Sequence, residues 1–224
     1  ICHCLVGSEM CIRDRCNMTI KLWHCDGARS LRPLWTLEEM GLKYELVKMQ
    51  FPPRFLHPGY TELNPIGTVP FFTDDREDRL TEMTESSGIC QYLVETYDAD
   101  DLTVRASHPE YGEYLNWLYR SDATYTFPQT LVLRYSVLES EENRNPQVVK
   151  DYTQWFFSRL RSLETALVGK EFLVDNRFTI ADIAVGYSLI LADSLNLSGQ
   201  FRKNVESYYL SLIHISEPTR QWQI

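Results

Sequence analysis

Two short stretches carry residues that could do chemistry together. In Leu63-Asn64-Pro65-Ile66-Gly67-Thr68-Val69-Pro70 a turn leads into an apolar strand through a proline, which brings no N–H to a ladder. Its flank therefore faces something other than a neighbouring strand. In Thr84-Glu85-Ser86-Ser87 a helix begins, and a helix start presents unpaired N–H groups that suit an anion. A backbone edge beside a helix N-terminus suits a small peptide carrying a carboxylate. The plain alternative is a tight hairpin followed by an N-cap. A third stretch, Cys25-Asp26-Gly27-Ala28-Arg29-Ser30, holds a thiol and a hydroxyl in the turn between a strand and a helix.

The elements that must position these residues follow from hydrophobic period. Thr19 to Trp23 alternates as a strand, Leu31, Leu34, Trp35, Leu37 and Met40 recur at helical spacing, and Gly41 caps that helix. Tyr44 to Met49 reads as a second strand. The third runs from Thr68 to Phe72, followed by a charged turn from Asp74 to Asp78. A helix opening at Ser86 with Ile89, Tyr92, Leu93 and Tyr97 on its apolar face completes a βαβ–ββα order. A linker with little apolar content spans 98–107. From 108 onward the patterns are helical. Tyr111, Tyr114, Leu115 and Leu118 form one stripe, Pro128 interrupts the next segment, and Tyr152, Phe156, Leu160, Leu163 and Leu167 form a longer stripe. Thr179 with Asp182 three residues on is a capping-box-like arrangement, with Asp in place of the usual Glu or Gln and Phe178 and Ile183 at the staple positions. The expected fold is thus an α+β N-terminal domain with a mixed four-stranded sheet, followed by an all-α helical bundle.

Asn64-Pro-Ile-Gly-Thr-Val-Pro70 followed by Thr84-Glu-Ser-Ser-Gly-Ile-Cys-Gln-Tyr-Leu93 resembles the glutathione-binding half of the cytosolic glutathione S-transferase family, bacterial type, and the likeness runs over roughly 18–210. The FTIADI run at 178–183 is similar to the way that family begins the core helix of its second domain. The resemblance implies a thioredoxin-like N-terminal domain. There Val69 and Pro70, the latter cis, would meet the cysteinyl backbone of glutathione, and Glu85 and Ser86 would hold its γ-glutamyl end. It implies glutathione as co-substrate with no metal, conjugation to a small hydrophobic electrophile, a detoxifying role in the cytoplasm and a homodimer.

Such an enzyme must hold sulfur as thiolate, whose parent thiol has a pKa near ~8.5 until a helix N-terminus or hydrogen-bond donor lowers it. Ser30 is the candidate catalytic residue, its other role being a plain N-cap. Aligned on Gly41, the cysteine of the family's beta class falls on Arg29. Cys25 could form mixed disulfides in a reductase or isomerase, or be a small buried hydrophobe, and His24 a base or a strand-end side chain. Thr68 stands where many relatives carry Gln or Lys. Arg54 could pair with the glycyl carboxylate, or be solvated. Tyr111, Tyr114 and Tyr125, with Trp117, could line the second-substrate pocket or belong to the core. A non-catalytic scaffold of the same fold is the rival from another class.

Twenty-two basic against thirty-one acidic residues give −9, which argues against nucleic-acid or anionic-membrane partners. Cys2, Cys4, Cys11 and Cys16 crowd the start without zinc-site spacing, leaving Cys25 and Cys90 elsewhere. SEMCIRDR at 8–15 and SLIHISEPTR at 211–220 resemble translated sequencing adapters. On that reading 1–17 and 211–224 are non-native flanks, Met18 is the natural start, and the natural chain is truncated after about Leu210. The domains are then 18–97 and 108–210.

Overall fold

A computed structural model of the chain describes residues 19–76 and 79–215; the expected flank at 1–17 lies outside them. β1 (Thr19–His24), α1 (Leu31–Glu39) and β2 (Tyr44–Lys48) form a parallel βαβ unit, with Leu22 opposite Leu46. Two short helices, α2 (Pro53–Leu56) and α3 (Tyr60–Leu63), cross to β3 (Phe71–Arg76), which pairs antiparallel with β1 and with β4 (Arg79–Met83). The sheet order is β2-β1-β3-β4, and α4 (Ser86–Thr96) follows it. Ile20, Leu22 and Phe72 bury one face of the sheet under Leu31, Leu34 and Leu37 of α1 and Ile89 and Leu93 of α4. Alternation along β1 puts Trp23 on the other face, against Phe71.

The charged turn expected from Asp74 is a strand at that point. Asp74 and Asp75 continue β3, and Asp74 is fully buried because the Tyr92 and Tyr97 hydroxyls donate to its Oδ2 at 2.8 and 2.9 Å. The strand also starts later than its apolar run, at Phe71, after the cis Val69–Pro70 bond.

The second layer is helical: α5 (Tyr111–Arg120), a π turn (Ser121–Thr126), α6 (Phe127–Leu133), α7 (Pro146–Ala166), α8 (Ile180–Ser194) and α9 (Lys203–Ile215). α9 crosses the expected boundary at 210, and Leu212 is buried. α8 is the axis of this half. Nearly all its residues are buried, as a helix apolar all round must be. The capping box forms as read: the Thr179 hydroxyl accepts from the Ala181 N–H at 3.2 Å and Asp182 accepts from the Thr179 N–H at 2.9 Å. Through Tyr187 and Leu191, α8 also enters the core under the sheet, so the domains share apolar packing. The connecting segment is held rather than slack, because Leu102 and Val104 are buried and Arg177 donates to the Thr103 carbonyl. Among the described residues no helix is long and apolar enough to cross a membrane.

Candidate functional site

The loop before β3 is built around Asn64, which is buried. Its amide donates to the Thr68 carbonyl at 2.8 Å, its side-chain oxygen accepts from the Ile66 N–H at 3.2 Å, and the Tyr60 hydroxyl donates to the same carbonyl at 2.7 Å. Gly67 has φ +69°, and a Cβ there would meet the Cβ of Arg54 at 3.0 Å, so the turn needs glycine on both counts. Val69 packs against Cys25, Tyr60 and Phe71, while its own backbone stands ahead of the ladder that begins at Phe71. The side chains of Thr68 and Arg54 are exposed, and the Arg54 guanidinium lies 5.3 Å from the Phe55 ring centroid.

Glu85 takes the N-cap position of α4 with its side chain exposed, and Ser86 and Ser87 are buried. Arg32 of α1 fixes that helix start. Its side chain is 0% exposed and donates from Nη1 to Ser86 Oγ at 3.0 Å and to Asp122, from Nη2 to Thr126 Oγ1 at 2.9 Å, and from Nε to the Ala184 carbonyl at 3.1 Å. Asp122 accepts from Ser87 Oγ at 2.5 Å with its other oxygen. The Arg32 guanidinium also stands 4.7 Å from the Tyr187 ring centroid. One arginine therefore joins α1, the start of α4, the π turn and α8. In the sequence it is the second residue of a helix whose partners lie up to 156 positions away, and no local signal marks it.

The turn after β1 packs with Val69 through Cys25 and Ala28 and leads into α1, whose Arg32 reaches Ser86. Ser30 is 0% exposed. Its Oγ sits 2.9 Å from His24 Nδ1, accepts from the Cys25 N–H at 3.3 Å and reaches the Cys25 carbonyl at 3.4 Å, and it makes no side-chain cap of α1. The hydroxyl is thus engaged inside the turn rather than offered at the helix mouth. His24 is buried as well, which holds its pKa below the usual imidazole value, with Asp26 3.3 Å from Nε2 working in the opposite direction. Burial also pushes the Cys25 thiol up to about 11. At neutral pH in the native state, Cys25 is therefore expected to resist iodoacetamide, with mass-detected alkylation appearing only on unfolding; rapid native labelling would refute this.

Two charged side chains of this turn reach outward: Asp26, beside His24 and Lys48, and Arg29. Arg29 is half-buried and crosses to α6, its Nη2 donating to Thr130 Oγ1 at 3.2 Å. The Tyr187 hydroxyl makes a second crossing, donating to the Gly27 carbonyl at 3.3 Å.

The expected aromatic pocket is corrected by the packing. Tyr114 and Tyr125 are 1% exposed core residues, their hydroxyls bonded to Thr103 and Ser162, and Trp117 is buried with them. Tyr111 is half-buried and stacks on Tyr114. The stripe packs in the core with α8 and α7, and the first turn is met instead by Thr130 of α6 and Tyr187 of α8.

Residues 18–95 match the family model of the glutathione S-transferase N-terminal domain. The match falls on the N-terminal domain. The chain as a whole has the family's fold, a thioredoxin-like domain with a mixed four-stranded sheet and a helical second domain. It is similar to the crystal structure of the glutathione transferase URE2P6 from Phanerochaete chrysosporium in complex with oxidized glutathione. The TM-score is 0.76 at 26% identity, covering 88% of this chain and 92% of that one. Glutathione S-transferase 3 of Schizosaccharomyces pombe is 26% identical over 202 residues, 84% of this chain and 81% of its own length. Protein LigF of a Sphingobium species is 27% identical over 218 residues, covering 82% of each.

Proposed function

We propose that this protein binds glutathione across its N-terminal domain and transfers the sulfur, as thiolate, to a small hydrophobic electrophile held against the helical domain. One observation carries the reading. A buried Ser86 at the start of an eleven-residue helix is held from behind by Arg32 of α1, and the unladdered Val69 packs against the turn that leads into α1. A peptide laid along Val69 and Pro70 would place its cysteinyl residue over the first turn and its γ-glutamyl carboxylate on the Ser86 hydroxyl and the free N–H groups of α4. Glu85, exposed beside them, would meet the γ-glutamyl ammonium. At the opposite end Arg54 and Thr68 would meet the glycyl end.

The reaction asks for stabilisation of an anion that develops on sulfur, which fixed donors supply without a metal. Thr130 and the exposed Phe127 of α6 would form the electrophile wall. The reading includes a homodimer working in the cytoplasm, as is usual in the family. A thiol-exchanging role for Cys25 is not favoured, since that sulfur is buried and its thiol pushed up.

Calorimetric titration of glutathione into the wild type and Ser86→Ala tests the site. Removing one hydrogen bond to a charged group costs about 1.5–3 kcal/mol, so binding should weaken roughly ten- to hundredfold, with circular dichroism unchanged. A folded wild type that takes up no glutathione would sink the transferase reading and leave a scaffold.

A further inference from the structure

Neither expected sulfur partner in the first turn is offered to a ligand: Cys25 is buried, and the buried Ser30 hydroxyl is engaged by His24 and the Cys25 backbone. We infer that Arg29 is the group that holds the glutathione thiolate in this chain, an inference that rests on the glutathione reading above. Its guanidinium uses one donor on Thr130 Oγ1, and among the described residues Nε and Nη1 donate to nothing. No carboxylate among those residues pairs with it. A half-buried cation without a counter-ion is an electrostatic cost that a bound anion would relieve.

Position says which anion. The turn carrying Arg29 packs through Cys25 and Ala28 against Val69, where the cysteinyl residue would lie. Arg32, whose N–H donates to the Arg29 carbonyl at 3.2 Å, stands three residues on and backs the carboxylate end through Ser86. Two arginines one turn apart would thus serve the two anionic ends of one γ-glutamyl-cysteinyl unit. Thr130 fixes the reach of Arg29, because its hydroxyl donates to the Thr126 carbonyl at 3.1 Å while accepting from Nη2. Of the other charged or titratable groups, Tyr187 of α8 feels the Arg29 charge, Asp26 of the same turn stands beside His24 and Lys48, and Arg32 and Asp122 are already paired with each other.

In the step itself the S–H bond breaks and its proton passes to water, while the sulfur keeps the electron pair beside the guanidinium. The thiolate then forms the S–C bond as the leaving group departs with its own pair. Arg29 stays charged throughout and donates hydrogen bonds only.

The test is the pH titration of the bound thiolate by its ultraviolet absorbance, in wild type, Arg29→Met, Arg29→Lys and Cys25→Ala, with calorimetry fixing glutathione saturation in each. Losing a cation within about 4–6 Å raises an anion-forming pKa by about 1–3 units. Arg29→Met should therefore retain bound glutathione but lose roughly tenfold or more of its thiolate at neutral pH. The acid limb of kcat/KM with an aryl halide should move up in step, Arg29→Lys should recover part of the shift, and Cys25→Ala should titrate as wild type. Saturated Arg29→Met with an unmoved thiolate pKa would overturn the proposal. So would loss of binding in Arg29→Met and Arg29→Lys alike, which would assign the residue to holding the peptide instead. A wild type that binds no glutathione would fail earlier, taking the site reading with it.

Discussion

Asp122→Ala is expected to destabilise the fold by about 3 kcal/mol, the lower end of the cost of breaking a buried ion pair. The figure depends on which partner is left behind. Arg32 is 0% exposed and keeps neutral acceptors at Ser86, Thr126 and Ala184, but it loses its one ionic partner among the described residues. Asp122 has a side chain 32% exposed, so in Arg32→Met the orphaned carboxylate can still hydrate. The aspartate variant should therefore be the worse of the two, although it removes the smaller side chain. For a chain of this length, about 3 kcal/mol corresponds to a fall in Tm on the order of ten degrees. Urea unfolding of both singles and the double variant would read the coupling. If the pair acts as a unit, the double falls short of the sum by more than about 0.5 kcal/mol; additivity within that margin would dismiss it.

The same pair explains where sequence reading stopped. Elements with local causes were legible: the alternation of β1, the glycine-closed turn before Val69, the serines opening α4 and the capping box of α8 each depend on neighbours a few positions away. Ser30 could be placed at the start of α1, but not the direction of its hydroxyl, which His24 decides from six positions earlier. Tyr111, Tyr114 and Tyr125 were visible as an aromatic stripe. A helical period says that one face is apolar, not whether that face meets a cleft or a core, and here α8 and α7 cover it. Asp74 looked like turn composition because the tyrosines that offset its desolvation lie on α4 and at its C-cap, 18 and 23 residues on. Arg32 is the extreme case. Its meaning is wholly tertiary, and a buried arginine that contacts a candidate ligand-binding serine was readable only once three segments had been brought together.

Asp182→Ala should be as damaging as any single change in the helical domain, and more so than loss of the cap residue beside it. Thr179→Ala removes one acceptor from the start of α8, a change that costs about 0.5–2 kcal/mol. Asp182 does more than close the capping box. It is fully buried and accepts from the Leu173 N–H at 3.0 Å, the Thr179 N–H at 2.9 Å, the Thr179 hydroxyl at 3.1 Å and the Tyr208 hydroxyl at 2.8 Å. Alanine would leave two buried backbone donors and a buried phenol without partners, in the region where α8 meets α9 and the loop from α7. Each orphaned group costs about 1–3 kcal/mol, and relaxation of Tyr208 should recover part of it, so a loss of about 3–5 kcal/mol is expected. Asp182→Asn keeps one oxygen as acceptor, and the Tyr208 hydroxyl can turn to accept from the new amide. The asparagine variant should therefore recover part of the loss, as a volume effect alone would not predict, since alanine and asparagine would then differ only by the cavity. Urea midpoints of the three variants decide it. Equal costs for Thr179→Ala and Asp182→Ala would mean that the carboxylate serves only the cap, and that the contacts to Leu173 and Tyr208 add nothing to the hold of α8 on its neighbours.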